Sequence, residues 1–289
     1  MIVLTTPTGH IGSQLLGLLL ARDEKVRVVA RDASKLGELR RRVEVVEGSH
    51  ADVATLERAL TGANALFHCV PPDFAAPDVD AHYLAFARSV IAATKATGVK
   101  HVVTVSALGA HAGKNAGLVS AAHKGDAALE AAGLNVRALW CPGFFENVLR
   151  SVQTLREQGV FFGPGKSDVA RPYCATKDIA ATAAKLLGDL SWSGPGGVAV
   201  LGPEDLTLDQ QAEILSDALG RPIRYQEVPI AGYKAQMMQY GASESIAQGM
   251  IDMVLAKDAG LDLSEPRTAE NTTPTTFRAW CTEVLKPMI

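Results

Sequence analysis

Short apolar runs alternate with longer helical patterns through the first half of the chain. The runs are rich in β-branched residues and continuously apolar, as is typical of parallel strands that are covered on both faces. Stretches of roughly 10–20 residues with helical periodicity separate them, among them Ala81–Thr97 and the surroundings of Thr55–Leu60. This alternation predicts an α/β fold with a doubly wound parallel sheet. The predicted strands are Ile2–Leu4, Val26–Ala30, Val43–Val46, Ala65–Cys69, His101–Ser106 and Asn135–Trp140.

The pattern changes after Pro142 and Gly143, where helical periodicity dominates and a turn-rich segment covers residues 163–166. We therefore predict a smaller, mostly helical C-terminal lobe beside a Rossmann-type domain. The later predicted elements are helices Phe145–Gln158 and Asp178–Gly188, strand Val198–Leu201 of the main sheet, and strand Ile223–Val228 in the mostly helical chain after Thr207. The predicted Rossmann-type domain takes residues 1–142 and about 174–202, and the lobe takes about 143–173 and 203–289.

Composition narrows the range of partners. The 289 residues carry 28 basic and 31 acidic side chains, a net charge of −3, without a basic run of the kind that nucleic-acid partners need. The four cysteines are far apart and show no metal-ligand spacing, so we expect reduced thiols, no disulfide framework and no metal. There is no signal-peptide pattern and no apolar run long enough for a membrane span. We expect a cytoplasmic monomer or homodimer without nucleic-acid or membrane partners.

The segment between the first strand and the first helix has the layout of an anion-binding corner. A strand that opens into a helix directs backbone N–H groups, and the positive end of the helix dipole, at one spot. Gly9 allows close approach of a pyrophosphate, and Gly12 allows the helix to pack on the strand. Thr6 occupies the position of the glycine that normally permits the tight turn. The alternative is an ordinary helix start with small residues. The cofactor-binding residues predicted here are Thr6, Thr8, Gly9, His10, Ile11 and Gly12.

The end of the second predicted strand indicates which dinucleotide binds. An NAD site carries an acidic residue there, for the ribose 2′-hydroxyl. Here Arg31 follows the strand, and Lys35 comes one helical turn later. Two cations favour a 2′-phosphate, which arginine binds with two hydrogen bonds. Asp32 could instead neutralise Arg31 or cap the next helix, and the two cations could be a solvated pair. We predict NADP(H) as cofactor, with NAD(H) the less favoured form.

Several short motifs distributed over nearly the whole chain resemble one family. They are Thr8-Gly9-His10-Ile11-Gly12-Ser13, Ala30-Arg31-Asp32, Val70-Pro71-Pro72-Asp73, Gly98-Val99-Lys100-His101-Val102-Val103, Ser106-Ala107-Leu108-Gly109-Ala110, Pro142-Gly143-Phe144-Phe145-Glu146-Asn147, Lys177-Asp178-Ile179-Ala180, Thr207-Leu208, Leu219-Gly220-Arg221-Pro222 and Thr273-Pro274-Thr275-Thr276-Phe277. As a set they are similar to the motifs of NmrA-like NAD(P)-binding proteins, an atypical branch of the short-chain dehydrogenase/reductase superfamily.

The resemblance implies a substrate cleft between the Rossmann-type domain and the lobe. It implies that Val70, Pro71 and Pro72 pass beside the nicotinamide-side ribose, and that Pro142, Gly143, Phe144 and Phe145 border the nicotinamide. The chain also departs from the family pattern, among other places, near its third strand and before Pro142. The family usually has an aspartate after the glycine where Gly48 is followed by Ser49 and His50, residues that we still assign to the cofactor site. Cys141 replaces the arginine that commonly precedes the Pro-Gly pair.

The catalytic residues are less complete than in typical members of the superfamily. Those members use a serine at the end of the fifth strand, a tyrosine as general acid and a lysine four residues later. Ser106 and Lys124 have the matching positions, but Ser120 replaces the tyrosine and is a far weaker acid. The NmrA-like branch commonly lacks that tyrosine. We predict Ser106, Lys124 and His123 as catalytic residues. The proton could come from water, His123, Lys124 or Tyr83. Asp126 has the position of an acidic residue in relatives, and it could instead stabilise the N-terminus of its helix.

Aromatic and sulfur-containing side chains in the predicted lobe permit two interpretations. Four phenylalanines could line an apolar pocket for a flat acceptor or pack inside the lobe. A later helical stretch could form a mobile lid, although core packing is the simpler interpretation. The four phenylalanines are Phe144, Phe145, Phe161 and Phe162, and the helical stretch contains Tyr233, Met237, Met238 and Tyr240.

The favoured hypothesis is an NADPH-dependent reductase that delivers hydride to a small conjugated acceptor such as a quinone or a dye. Ser106 and Lys124 would orient the acceptor and the ribose, while the cofactor performs the chemistry. The alternative is a non-catalytic NADP(H) sensor that binds a partner protein, which the missing tyrosine permits. A DNA-binding regulator finds no support in the charge pattern.

Overall fold

The computed structural model describes residues 1–110 and 115–289, and a parallel β-sheet forms its centre. The strands of the described chain are β1 (Ile2–Thr5), β2 (Val26–Ala30), β3 (Glu44–Glu47), β4 (Ala65–His68), β5 (His101–Ala107), β6 (Asn135–Cys141), β7 (Gly143–Phe144), β8 (Val160–Gly163), β9 (Arg171–Cys174), β10 (Gly196–Ala199), β11 (Asp205–Leu206) and β12 (Arg224–Glu227).

The helices complete the alternating pattern. The α-helices of the described chain are α1 (His10–Ala21), α2 (Val53–Leu60), α3 (Val79–Thr97), α4 (Leu118–Ala131), α5 (Val152–Gln158), α6 (Thr176–Gly188), α7 (Leu208–Leu219), α8 (Ile230–Gln239), α9 (Glu244–Asp258) and α10 (Phe277–Trp280). Short 3₁₀ or π segments cover Ala33–Arg42, Phe145–Ser151, Leu261–Leu263, Cys281–Leu285 and Lys286–Met288.

Within the described residues, the main sheet has seven parallel strands in the order β10-β6-β5-β4-β1-β2-β3. The order reverses direction between β1 and β4, so the loops after these two strands diverge and leave a crevice at their carboxyl ends. Strand β1 is buried along its whole length, since helices cover both faces of the sheet. The prediction of a doubly wound Rossmann-type sheet is confirmed.

Each face of the sheet has its own apolar core. On one face, α1 and α6 pack with buried leucines and alanines, including Leu15, Leu16 and Ala183. On the other face, α2, α3 and α4 pack through residues such as Leu56 and Val90. Burial of a leucine or isoleucine side chain stabilises the fold by roughly 1.5–3 kcal/mol. These two cores therefore fix the strand ends that carry the candidate site.

A third apolar cluster lies away from the main sheet. It joins Phe145 and Leu155 to residues from the C-terminal part of the chain, including Phe277 and Trp280. Two small sheets, β11-β9-β7 and β12-β8, flank this cluster. The strands β7, β8 and β9 were not predicted, because they are short and lack a clear alternation of apolar and polar residues. The proposed boundaries of the two lobes stay a prediction.

Other local predictions need correction. Phe145–Gln158 is a 3₁₀ turn followed by α5, and the strand predicted at Val198–Leu201 is β10, two residues earlier. Helix α8 buries none of its residues, so the core packing preferred for its tyrosines and methionines is wrong. Met238 is 43% exposed and Tyr240 is 81% exposed. No helix of the described chain is long and apolar enough to cross a membrane.

Candidate functional site

A cleft of about 700 Å³ opens at the carboxyl ends of β1 to β4. Its walls come from the loop after β1, the ends of β2 and β3, the segment after β4, and the chain that follows β7. This is the place where doubly wound sheets bind ligands. The predicted cofactor residues in its wall are Thr6, Thr8, Gly9, His10, Ile11, Gly12, Arg31, Lys35, His50, Val70, Pro71, Pro72 and Phe144.

The corner between β1 and α1 is a backbone cradle. Thr6 has a φ of 52°, the left-handed conformation that a glycine would adopt without strain. Its carbonyl oxygen accepts a hydrogen bond from the Gly9 N–H at 3.0 Å, which closes the turn. A β-carbon at Gly12 would lie 2.1 Å from that same carbonyl oxygen, so only glycine fits there. The turn therefore keeps its shape despite the missing first glycine.

Helix α1 begins at the cleft, and none of its own side chains neutralises the partial positive charge of its N-terminus. Gly9 is the N-cap and gives no side-chain hydrogen bond, and the first turn contains no acidic residue. The N–H groups at the start of a helix have no partner within the helix. Because those of His10 and Ile11 border the cleft, the corner suits the phosphates of a nucleotide.

The end of β2 contributes two exposed cations. Arg31 and Lys35 both line the cleft. Asp32 accepts hydrogen bonds from the N–H of Ser34 at 2.9 Å and from its hydroxyl at 2.6 Å, and these bonds lower the pKa of its carboxyl. Asp32 thus caps the following 3₁₀ turn, as one alternative interpretation of the sequence held. A phosphate placed between the two cations would find a favourable field.

His50 forms the floor of the cleft beside the end of β3. Its Nε2 lies 3.1 Å from the carbonyl oxygen of Cys69, and its ring packs against Phe86 with 4.6 Å between centroids. Burial lowers the pKa of His50 to about 4, so the ring is neutral near pH 7. His50 therefore presents a flat uncharged surface. Ser49, its neighbour in the predicted set, does not belong to the described lining of the cleft.

The segment after β4 is anchored from behind. His82 of α3 places its Nε2 2.9 Å from the carbonyl oxygen of Pro71. The Thr5 hydroxyl lies between β1 and β4, where it donates to the carbonyl of Phe67 and accepts from the N–H of Cys69. Val70, Pro71 and Pro72 consequently form a fixed wall of the cleft.

The opposite wall depends on Glu146. Its carboxylate accepts hydrogen bonds from the Thr176 N–H at 3.1 Å, from the Thr176 hydroxyl at 2.7 Å and from Trp280 Nε1 at 3.2 Å. Gln14 of α1 donates to the same hydroxyl at 2.8 Å. Phe144, two residues before Glu146, is half-buried and lines the cleft. The sequence prediction did not include Glu146, Asn147, Leu149, Arg150 and Thr176, which also line this wall.

Phe145 does not border the cleft, contrary to our expectation. Its ring is 2% exposed and packs on Phe277, with 5.1 Å between ring centroids. Adjacent residues of an extended chain point to opposite sides, and Phe144 takes the cleft side. The other phenylalanines also belong to the lobe, since Phe161 packs on Tyr225 and Phe162 is 40% exposed at the surface. Pro142 and Gly143 lie behind the described lining of the cleft.

The residues predicted for catalysis are distributed differently from the typical superfamily site. Lys124 Nζ forms an ion pair with Asp80 and is 53% exposed, outside the described cleft lining. His123 Nε2 lies 2.9 Å from the carbonyl oxygen of Ala107. Ser120 accepts a hydrogen bond from the N–H of Ala116 at 2.8 Å. Helix α4 begins at Leu118, so His123 and Lys124 lie in its middle and do not open it. Lys124 is therefore not placed to orient a ribose in the cleft.

Ser106 has a partner that the sequence did not predict. It is buried at the end of β5, and its hydroxyl donates a hydrogen bond to the carboxyl of Asp126 in α4. Burial, opposed by the hydrogen bond from Ser106 and assisted by the charge of Glu130, raises the pKa of Asp126 to about 7. Asp126 lies in the middle of α4, which excludes the alternative role at the helix N-terminus.

Comparisons with known proteins agree with this geometry. A family model described as NAD(P)H-binding matches residues 7–189. An NAD(P)H azoreductase of Xenophilus azovorans is 31% identical over 263 residues, 88% of this chain and 86% of the relative. A (4-alkanoyl-5-oxo-2,5-dihydrofuran-3-yl)methyl phosphate reductase of Streptomyces griseus is 29% identical over 98% of this chain and 97% of its own length. The crystal structure of an NADPH-dependent quinone oxidoreductase from Escherichia coli, complexed with NADPH, is similar with a TM-score of 0.75 and 25% identity, covering 91% of this chain and 90% of that one.

The chain belongs to the NAD(P)H-binding family. The family resemblance read from the motifs and the expectation of a nicotinamide dinucleotide are thereby confirmed, and the protein is an oxidoreductase of this family. The residues present fit such a dinucleotide. One cleft is lined by the uncapped start of α1, by Gly12, which has no room for a side chain, and by the cations Arg31 and Lys35. Among the described residues, no group of three or more His, Cys, Asp or Glu side chains could hold a metal ion.

Proposed function

We propose that the protein is an NADPH-dependent reductase that delivers a hydride to a small conjugated acceptor of the quinone or dye class. The observation that carries the proposal is a single cleft whose lining includes the two cations, the start of α1 and Phe144. The names of the relatives, an azoreductase and a quinone oxidoreductase among them, support an acceptor of this kind. When bound, NADPH supplies the hydride and its electron pair.

The binding role of the chain follows from the order of its residues along the cleft. Arg31 and Lys35 would bind the 2′-phosphate that distinguishes NADPH from NADH. The start of α1 would bind the pyrophosphate, and Val70 to Pro72 would direct the nicotinamide towards Phe144. A hydrogen bond between an arginine and a phosphate stabilises a complex by about 1.5–3 kcal/mol. NADH has no 2′-phosphate and cannot form this bond. We therefore propose a preference for NADPH over NADH.

The acceptor would lie against the wall formed by Phe144 and the chain after it. The half-buried ring of Phe144 offers a flat apolar surface on which a conjugated acceptor can stack. Asn147 and Arg150 are exposed at the same wall and could orient polar substituents. This arrangement selects for a flat acceptor of modest size. A cytoplasmic location and a monomeric or dimeric state stay predictions from the sequence.

The proposal is tested with the purified full chain. Calorimetry with NADPH and NADH measures the cofactor preference, and the loss of nicotinamide absorbance measures turnover with 1,4-naphthoquinone, an azo dye and a simple aldehyde. We expect tighter binding of NADPH and faster turnover with the conjugated acceptors than with the aldehyde. Tight NADPH binding without turnover on any acceptor would instead favour a sensor that binds a partner protein.

A further inference from the structure

A second, very small cavity lies directly behind the wall of the cleft. Its volume is about 10 Å³, roughly the space of one water molecule. Val70 lines both this cavity and the cleft, so a single residue separates the two spaces. Polar side chains converge on the cavity from three directions: His68 from β4, Tyr83 from α3 and Asp126 from α4. A buried space of this size with polar groups on several sides suits an ordered water.

His68 supplies independent evidence that the cavity is polar. Its ring is 2% exposed, and its Nδ1 has no hydrogen-bond partner among the residues that the structure describes. An unpaired buried nitrogen costs free energy unless a water molecule binds it. Burial lowers the pKa of His68 to about 3, so the ring is neutral and does not compete for protons near pH 7. The cavity is thus a place where a neutral ring and a carboxyl group can share one water.

The sheet register carries this cavity to the edge of the cleft. His68, the last residue of β4, pairs with Thr104 of β5, and Ser106 lies two residues further along β5, near its carboxyl end. Ser106 is 7% exposed, and its hydroxyl is hydrogen-bonded to the carboxyl of Asp126. Asp126 and Ser106 therefore form a hydrogen-bonded pair that connects the cavity to the carboxyl end of β5, at the edge of the sheet where the cleft opens.

We propose that Asp126 supplies the proton for acceptor reduction and passes it through Ser106. The proposal rests on the proposed function. Reduction of a quinone to a hydroquinone takes two electrons and two protons, and the hydride carries both electrons and one proton. When Asp126 is protonated, its carboxyl O–H donates to the Ser106 oxygen and the Ser106 hydroxyl turns towards the acceptor. Ser106 then donates its hydroxyl proton to the second oxygen of the acceptor and takes the carboxyl proton of Asp126 in the same step. The resulting carboxylate regains a proton from a hydronium ion of the solvent, passed on by a water molecule in the small cavity.

The ionisation of Asp126 suits this role. Its pKa of about 7 keeps a large part of the carboxyl protonated at neutral pH, when an exposed aspartate is fully ionised. The groups that face it are the Ser106 hydroxyl from β5, Tyr83 from α3, His68 from β4, and Glu130 one turn later on α4. Burial raises the pKa of Tyr83 to about 12, so this phenol holds its own proton. Asp126 takes the part of the tyrosine that Ser120 replaces.

The first test measures the ionisation of the carboxyl without any cofactor or turnover. Carbon-13 NMR of aspartate carboxyl groups in the full chain, with Asp126→Asn to assign the resonance, gives the midpoint directly. We expect a midpoint near 7, and a lower midpoint in Glu130→Gln, which removes a nearby negative charge. A midpoint near that of an exposed aspartate would overturn the proposal even in an active enzyme.

The second test compares two acceptors that differ in their need for a proton. 1,4-Naphthoquinone requires one besides the hydride, whereas the cation of crystal violet accepts hydride at its central carbon and requires none. We expect Asp126→Asn and Ser106→Ala to lower the quinone rate by roughly 100-fold, as for loss of a general acid, and to reduce the crystal violet rate far less. Asp189→Asn, which changes an exposed carboxylate far from the cleft, should leave both rates unchanged.

The outcomes separate the two proposals. Quinone turnover that Asp126→Asn leaves intact, or equal losses with both acceptors, would overturn the relay while the reductase function stands. A wild-type protein that oxidises no NADPH with any acceptor would overturn the proposed function and the relay together. If Asp126→Asn fails to fold, Ser106→Ala carries the same comparison because it leaves the carboxyl group in place.

Discussion

The carbonyl oxygen of Thr6 occupies the space that a side chain at Gly12 would need. A β-carbon at position 12 would lie 2.1 Å from this oxygen and 2.9 Å from the carbonyl carbon. Both atoms belong to the backbone of the anion-binding turn and cannot move aside independently. The glycine of the helix thus sets how closely α1 approaches the end of β1.

Gly12→Ala is therefore expected to abolish dinucleotide binding and to lower the melting temperature. The added methyl group must displace the Thr6 backbone, which changes the direction of the N–H groups at the start of α1. Gly17→Ala in the same helix is the matched control, because nothing lies within 4 Å of its β-carbon position. This control should bind normally and gain up to about 1 kcal/mol of stability from higher helix propensity. Calorimetry and thermal unfolding distinguish the two variants.

Thr6 itself is expected to reveal the strain of its left-handed backbone. Residue 6 has a φ of 52°, a conformation that glycine adopts without strain. Thr6→Gly therefore relieves the strain, whereas Thr6→Ala keeps it and removes only the hydroxyl and methyl groups. We expect the glycine variant to be more stable than the alanine variant by about 1 kcal/mol. Urea denaturation measures this difference. Equal stabilities would show that position 6 is not strained.

Arg31 is expected to determine the cofactor preference. Arg31→Glu should weaken NADPH binding by roughly 10- to 100-fold, from loss of charge-assisted hydrogen bonds and added repulsion, and should change NADH binding much less. Arg41→Ala serves as control, since that side chain is 82% exposed and pairs with Glu38. Titration with each cofactor gives both affinities. Parallel losses for NADPH and NADH would place the 2′-phosphate elsewhere.

The two buried histidines are expected to make folding sensitive to acid. The pKa of His50 is lowered to about 4 and that of His68 to about 3, so the unfolded chain binds more protons than the folded chain below about pH 6.5. Their contribution to stability is complete above pH 6.5 and decreases as the pH falls towards these values. For His68 the loss by pH 4 is on the order of 3 kcal/mol.

His68→Asn should flatten the dependence of the unfolding free energy on pH between about 6.5 and 4. His10→Asn, which changes an exposed ring at the start of α1, is the control for general effects of removing a histidine. Urea denaturation of the cofactor-free protein at several pH values provides the measurement. An unchanged slope in His68→Asn would mean that His68 takes up its proton at the same pH in the folded and the unfolded chain.

The sequence was sufficient for the main sheet and for the tight turn between β1 and α1 because both depend on local patterns. Continuous apolar runs identify buried strands, and Gly9 and Gly12 occur where the first strand meets its helix. Partners that are distant along the chain could not be predicted in this way. The ion pair of Lys124 with Asp80 and the hydrogen bond of Ser106 with Asp126 depend on how α3, α4 and β5 pack.

The second lobe was harder to predict for a related reason. Its strands β7 to β9 are two to four residues long, too short for a periodic pattern to develop. The direction of Phe144 and Phe145 is set by this local extended structure, and it decides which ring faces the cleft. Helix α8 misled the prediction because none of its apolar side chains is fully buried, and Met238 is exposed.

The hydrogen bonds of Glu146 connect the two walls of the cleft. It ties the beginning of α6 to Trp280, and through Thr176 and Gln14 to the first turns of α1. The acceptor wall and the phosphate corner share these hydrogen bonds, so neither can shift alone without breaking some of them. A displacement at one wall of the cleft must therefore be accommodated at the other, and Glu146 acts as the brace between them.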